Sequence, residues 1–198
     1  MGKIYCFMGK SSSGKDTVFQ KVKQQLPALK PVVPYTTRPM RVGELDGETY
    51  FFISPEQLSA YGTDGKVIEA RHYHTVQGIW SYATIDDGQI VLAKNSYLLI
   101  TTLESYEKIV LYYGKSNVVP LYIEVEDGLR LQRALERERR QAKPDYAELC
   151  RRFLADQEDF CEEKLSAAGI GERYENVDLS RCVAAIIDRI KMVEERNE

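Results

Sequence analysis

Residues 4–17 read Ile-Tyr-Cys-Phe-Met-Gly-Lys-Ser-Ser-Ser-Gly-Lys-Asp-Thr, an apolar run that breaks at Gly9 and leads to Gly14-Lys15. The spacing from Gly9 to Lys15 is that of a phosphate-binding P-loop. Such a loop curls its backbone N–H groups around a polyphosphate, and the following helix points its positive end at the same anion. Lys15 adds a point charge for the outer phosphates. Gly9, Ser11, Ser12, Ser13, Gly14, Lys15, Asp16 and Thr17 are therefore the candidate residues for a nucleotide cofactor. One position departs from the usual motif. Ser or Thr normally follows the lysine and reaches Mg²⁺ through its hydroxyl; here Asp16 follows, with Thr17 next. A carboxylate in the first turn suits the helix dipole. Hard cations also take oxygen ligands, which makes Asp16 the candidate metal ligand. Thr17 is turned about 100° further around the helix and is no simple replacement for a hydroxyl at 16.

The rest of the chain sets bounds. Its 198 residues suffice for one large domain or a core with inserted subdomains. Hydrophobic residues make up 43% and charged residues 29%, as in soluble globular proteins. A formal net charge of −3 argues against non-specific nucleic-acid binding. Cys6, Cys150, Cys161 and Cys182 form no C-x-x-C pair, which speaks against metal ligation and a disulfide framework. Buried thiols in a reducing cytoplasm are expected instead. Met1-Gly2-Lys3 leads straight into a short strand, unlike a signal peptide, and no apolar run has the length of a membrane span. The expected location is cytoplasmic, with no membrane partner; the oligomeric state is left open.

Strand and helix patterns alternate. Strands are expected at residues 3–8, 32–35, 49–53, 67–74, 79–84, 97–102 and 118–125. Helices are expected at 16–26, 55–61, 103–113, 128–141, 146–167 and 179–195. Apolar strand runs beside helices predict an α/β fold with a parallel sheet covered on both faces. Residues 35–93 differ, with short strands, turn signals and little helix, and read as a mixed β subdomain inserted into that core. The expected division is a core of 1–34, 94–126 and 170–198, an acceptor-binding subdomain of 35–93 and a helical lid of 127–169.

Residues 36–52 carry the second signature, Thr-Thr-Arg-Pro-Met-Arg-Val-Gly-Glu-Leu-Asp-Gly-Glu-Thr-Tyr-Phe-Phe. Arg38 and Arg41, so close on one loop, suit a second phosphate group. Tyr50 can bring a phenol to the same anion. Here the chain resembles the guanylate kinase family, whose pattern is Thr-Thr-Arg-x-x-Arg-x-Gly-Glu-x-x-Gly-x-x-Tyr-x-Phe. The matching residues are Thr36, Thr37, Arg38, Arg41, Gly43, Glu44, Gly47, Tyr50 and Phe52. The resemblance implies a P-loop nucleoside monophosphate kinase that uses ATP and Mg²⁺, with GMP or dGMP as the leading small-molecule acceptor. It implies that Arg38, Arg41 and Tyr50 hold the acceptor phosphate and that Glu69 reads the base. Two alternatives stay open: a kinase of another nucleotide or small phosphorylated acceptor, and a non-catalytic protein-binding domain of the same fold.

Four positions depart from the family pattern. Pro34 stands where the family has a base-contacting Ser. Val76-Gln77-Gly78-Ile79-Trp80-Ser81-Tyr82 replaces the segment after the Glu, leaving Trp80 or Tyr82 for its aromatic role. Leu99-Ile-Thr-Thr-Leu-Glu-Ser105 lacks the family's two aspartates. Asp16 is the fourth. Residues 130–152 hold Arg130, Arg133, Arg137, Arg139, Arg140, Arg151 and Arg152, with Glu136 and Glu138 to balance them. Most of these arginines read as a solvated helix face. The break at Ala142-Lys143-Pro144-Asp145 makes a helical hairpin, which the resemblance implies is the lid. The family's lid arginines fall on Arg133 or Arg137, Arg137 or Arg140, and Arg151 or Arg152; Arg137, Arg140 and Arg152 join Lys15 and Arg38 as the candidate catalytic set. His72 and His74 read as strand-surface residues beside the acceptor pocket. Asp178 reads as a helix N-cap, and Asn176 as a cofactor candidate implied by the resemblance.

Overall fold

The apolar run before Gly9 becomes strand β1 (Ile4–Met8), every one of whose side chains is buried. A strand buried on both faces must have a layer on each side, and its alternation sorts the core in two. Tyr5 and Phe7 join one cluster with Val18, Phe19 and Val22 of helix α1 (Lys15–Gln25) and with Cys182, Val183, Ile186 and Ile190 of the last helix. Ile4, Cys6 and Met8 face the other way, among Tyr106, Ile109, Phe160 and Leu165. This computed structural model describes residues 1–41, 43–75 and 78–196. Val42, Val76 and Gln77, quoted in the sequence motifs above, lie outside the described residues.

Further along come β2 (Lys30–Pro31), β3 (Tyr35–Thr36), β4 (Phe51–Phe52), α2 (Pro55–Thr63), β5 (Val67–Thr75) and β6 (Gly78–Ile85). The second half holds β7 (Tyr97–Ile100), α3 (Leu103–Tyr113), β8 (Val118–Glu124), α4 (Asp127–Arg139), α5 (Tyr146–Asp159), α6 (Glu162–Ala167), β9 (Arg173–Glu175) and α7 (Leu179–Glu195). The main sheet has the order β2-β7-β1-β8-β9 and all its pairs are parallel. In such a sheet ligands gather beyond the carboxyl ends of the strands, where the P-loop leaves β1.

A second sheet of order β4-β3-β6-β5 is mixed. It has its own small core of Tyr35, Ala83 and Ile85, against which Phe51, Ile53, Leu58 and Tyr61 pack. The fold is thus a mixed α/β one, with a parallel core sheet and a separate mixed sheet from the middle of the chain.

Several local expectations need correction. In place of one strand at 32–35 there are two two-residue strands, β2 ending at Pro31 and β3 starting at Tyr35, and Pro34 between them has no N–H to give a ladder. The helix expected at 146–167 is also two helices. Phe160 turns inward at the break, 7% exposed, and packs its ring 5.7 Å from that of Tyr122. Glu138 does not balance arginines. It is buried, its Oε1 accepting from the Asp145 N–H at 2.6 Å and its Oε2 from Gln141 Nε2 at 2.8 Å, so it ties α4 to the start of α5. All four cysteines are free; Cys6 and Cys182 are buried, but Cys150 is exposed and Cys161 half-buried. Burial pushes the Cys6 thiol well up, leaving it inert. Among the described residues no helix is long and apolar enough to cross a membrane.

Candidate functional site

The loop between β1 and α1 is held in shape by close approaches. A Cβ on Gly9 would lie 2.5 Å from the carbonyl oxygen of Ile123, so only glycine lets the loop leave β1 against β8. Gly14 has φ +81°, the left-handed region, and a Cβ there would lie 2.5 Å from Asn176 Nδ2. Ser12 sits at φ 64°, a conformation non-glycine residues adopt mainly where surroundings enforce it. No side chain caps α1. Its first amides therefore have no partner within the helix and face an incoming anion. Among the described residues the buried hydroxyls of Ser12 and Ser13 have no hydrogen-bond partners. Lys15 is half-buried and makes no side-chain hydrogen bond or ion pair among the described residues. Orphaned hydroxyls, open helix amides and an uncommitted ammonium fit a polyphosphate.

Other residues support the loop rather than line it. Asn176, only 4% exposed, donates from Nδ2 to the Ser13 carbonyl at 2.8 Å, and its backbone carbonyl accepts from Arg133 at 3.0 Å. Its amide nitrogen thus braces the loop. Ser11 is held from α5: its N–H donates to Asp156 Oδ2 at 2.8 Å. Arg152, also on α5, reaches the Ser11 hydroxyl at 3.3 Å. Arg137 and Arg140 are exposed, with no side-chain partner among the described residues. Arg151 pairs with Glu148 on the surface.

The arginine that the charge pattern assigned to solvent is the most buried one. Arg130 is 1% exposed. Its NH1 donates to the Ser11 carbonyl at 3.1 Å and to Asp156 Oδ2 at 3.0 Å, while Nε and NH2 donate to Asp127 Oδ1 at 3.1 and 2.9 Å. The guanidinium also lies 4.4 Å from the ring centroid of Phe153. Lys10 adds to the cluster, hydrogen-bonding Gln157 and lying 3.6 Å from Asp127. One clasp thus joins the loop, α4 and α5. Sequence patterning had no signal for it beyond the acidic residues at 127 and 156.

The mixed sheet gathers a second group of the candidate residues. Arg38 is 4% exposed and forked onto Glu44, with NH1 to Oε2 at 2.7 Å and NH2 to Oε1 at 2.5 Å. Its guanidinium carbon stands 5.0 Å from the Tyr50 ring centroid and 5.4 Å from that of Phe52. The Arg38 hydrogen bonds hold the Glu44 carboxyl down at about 2, and the same bonds raise the Arg38 guanidinium. Arg41 gives Glu44 its backbone N–H at 2.8 Å and leaves its side chain exposed, so the two guanidinium groups do not form one fork here.

Tyr82, not Trp80, joins this cluster. Its ring centroid is 5.7 Å from that of Tyr50. Trp80 lies two residues back on β6, opposite Tyr73. The Tyr50 hydroxyl is pushed up by burial first and then by Tyr82; the charges of Arg38 and Arg71 pull it down, and that of Asp16 pushes it up. Asp16 lies in the first turn of α1. It is exposed, Thr17 likewise. The described residues hold no group of three His, Cys, Asp or Glu side chains suited to a metal. Asp16 alone fits the Mg²⁺ habit of taking one or two carboxylates plus substrate oxygens.

Glu69 is buried at 3% exposure, beside a residue that sequence reasoning missed. Its Oε1 accepts from the Thr84 hydroxyl at 2.8 Å, and its Oε2 from the Ser105 hydroxyl at 2.8 Å and from Arg71 Nε at 3.2 Å. Arg71 also reaches Thr102 Oγ1 at 3.4 Å, at the N-cap of α3. Thr102 and Ser105 stand in the segment that lacks the family's aspartates. His72 and His74 do not flank this group: they alternate onto the opposite face of β5, where His72 Nδ1 lies 2.8 Å from Ser81 Oγ.

Comparisons with known proteins bear on the family and the fold. The family model described as guanylate kinase matches residues 1–142. The guanylate kinase of Chlorobium luteolum is 36% identical over 81 residues, which is 38% of this chain and 41% of that protein. That of Corynebacterium diphtheriae is 35% identical over 74 residues, 37% of this chain and 39% of that protein. The match thus spans about two fifths of the length of these curated relatives. The crystal structure of guanylate kinase from Anaplasma phagocytophilum superposes with a TM-score of 0.62 over 96% of this chain and 85% of that one, at 18% identity. At that identity the superposition speaks for the fold, while the family match over residues 1–142 speaks for descent: the chain belongs to the guanylate kinase family.

Proposed function

We propose that this protein is an ATP- and Mg²⁺-dependent nucleoside monophosphate kinase, with GMP and dGMP as its leading acceptors. The observation that carries the reading is the presence of two phosphate-suited half-sites in one chain. The uncapped α1 amides, Lys15 and the unpartnered Ser12 and Ser13 hydroxyls make one. Arg38, Tyr50 and Tyr82 make the other. The Asp16 carboxylate, exposed in the first turn of α1, stands beside the first of them.

ATP with its Mg²⁺ supplies the transferable phosphoryl group and part of the charge neutralisation. The chain's own residues do the positioning, which is most of what phosphoryl transfer requires. Lys15 and the helix amides hold the donor phosphates. Arg38, released from Glu44 or shared with it, aligns the acceptor phosphate with Tyr50. Asp16 is the metal ligand of this proposal. Residues 127–169 act as the lid over the core of 1–34, 94–126 and 170–198, with 35–93 binding the acceptor. Arg152, already at the Ser11 hydroxyl, and Arg137 on α4 with Arg140 at its end, both without a side-chain partner among the described residues, bring charge to the transferring group as the lid closes. Closure excludes water and limits hydrolysis.

The test is ADP release from ATP and Mg²⁺ against GMP, dGMP, AMP, CMP, UMP and dTMP. Acceptor-dependent release with at least one monophosphate is expected. Release that no acceptor stimulates would overturn the proposal.

A further inference from the structure

The more exposed member of the Glu69–Arg71 pair is the guanidinium. Glu69 and Arg71 lie two residues apart on β5 and so share a face. The Glu69 side chain is 1% exposed and Arg71's is 16% exposed. Both carboxylate oxygens already accept from within the chain, Oε1 from Thr84 and Oε2 from Ser105 and Arg71. A ligand approaching from the Tyr50 and Tyr82 side therefore meets Arg71 before it meets Glu69. Arg71 is also held in orientation. Its Nε is fixed on Glu69 and its NH1 leans on Thr102 Oγ1, while its NH2 has no partner among the described residues.

A guanidinium offers donors only. A base edge that presents N–H groups to it leaves donors facing donors, unpaired in a half-buried site. An edge with two adjacent acceptors satisfies it, because the planar fork makes two parallel bonds. Guanine has such an edge at O6 and N7, and cytosine at N3 and O2. We propose, on the footing of the kinase reading above, that Arg71 reads the acceptor base through two adjacent acceptor atoms and that Glu69 is a positioning residue that aims Arg71.

The experiment measures binding by calorimetry, and transfer rates with ATP and Mg²⁺, for GMP, IMP, 7-deaza-GMP and CMP. IMP lacks the 2-amino donor but keeps O6 and N7, and 7-deaza-GMP lacks N7. IMP is expected to match GMP within about 3-fold, and 7-deaza-GMP to fall by about 10-fold or more, in the range of one bidentate base contact. Arg71→Ala brings the GMP to 7-deaza-GMP ratio close to one and leaves the ATP KM unchanged. Arg71→Lys, which keeps the charge beside Glu69, also loses the discrimination. Glu69→Gln reduces the same ratio without reversing the order of preference. A preference for CMP with the same dependence on Arg71 supports the proposal and names the other source of the paired acceptors. Loss of IMP with retention of 7-deaza-GMP would overturn it, because donors would then be read. So would an Arg71→Ala variant that weakens every monophosphate equally, which would make Arg71 a phosphate ligand. Binding that depends on Arg71 without any transfer would sink the kinase reading and leave the base reading standing; absence of binding would remove both.

Discussion

Replacing Arg130 with methionine tests whether the clasp between the phosphate loop and the helical hairpin is real. The substitution keeps most of the side-chain volume and removes every donor. Asp127, 39% exposed in its side chain, can turn to water at little cost. Asp156 cannot do so as readily: its side chain is 13% exposed, and it retains only Ser11 for support. The Ser11 carbonyl also loses a donor. Removing one partner of a buried pair costs about 3–5 kcal/mol. The Ser11 contacts that Asp156 keeps place the expected loss near the lower end, about 3 kcal/mol. For a chain of this length that is a fall in Tm of roughly 6–12 °C. Urea and thermal unfolding of Arg130→Met, Asp156→Asn and the double variant measure it. Because the two groups share one contact, the double variant is expected to lose less than the sum of the singles. A loss below about 1 kcal/mol, or strict additivity, would refute the reasoning.

Other predictions are more local. Lys15→Ala should lower phosphoryl transfer by about 100-fold or more, while Tm moves little because Lys15 has no side-chain partner to lose; surviving transfer would remove the P-loop from the mechanism. Arg38→Ala should raise the acceptor KM far more than the ATP KM, and equal changes in steady-state kinetics would contradict its placement. The Glu44 carboxyl, held at about 2 against an ordinary 4.5, contributes stability that is fully present above about 4.5 and is lost as pH falls through about 2. An NMR titration should place its midpoint near the lower value, and Arg38→Ala should return it to the ordinary range. A wild-type midpoint above 4 would show that the fork does not form in solution.

Much of this was legible in sequence because the features are local. The P-loop is written in two glycines and a lysine at fixed spacing. Helices 103–113 and 179–195 are found at those bounds, since Thr102 and Asp178 cap them as short polar side chains do. What was missed depends on partners distant in the chain. The burial of Arg130 rests on Asp127 and Asp156, one on each of two helices, and a charge run by itself reads as a wet surface. The placing of Arg71 on Glu69 depends on Thr84 and Ser105 closing around the carboxylate from another strand and another helix. The choice of Tyr82 over Trp80 is fixed by β6 register, and β9 is three residues long, too short to show a period. The side of β5 that carries His72 and His74 follows from strand alternation and was open to deduction once Glu69 was set inward.

The central claim is transfer of a phosphoryl group between nucleotides, and ³¹P NMR of the full chain with ATP, Mg²⁺ and GMP tests it most directly. The account predicts that the ATP γ-resonance declines as the resonances of a new nucleoside diphosphate rise in step, beyond the ADP formed, with inorganic phosphate staying near baseline. ATP loss matched by inorganic phosphate alone, or no loss with GMP and with every other monophosphate tried, would contradict it.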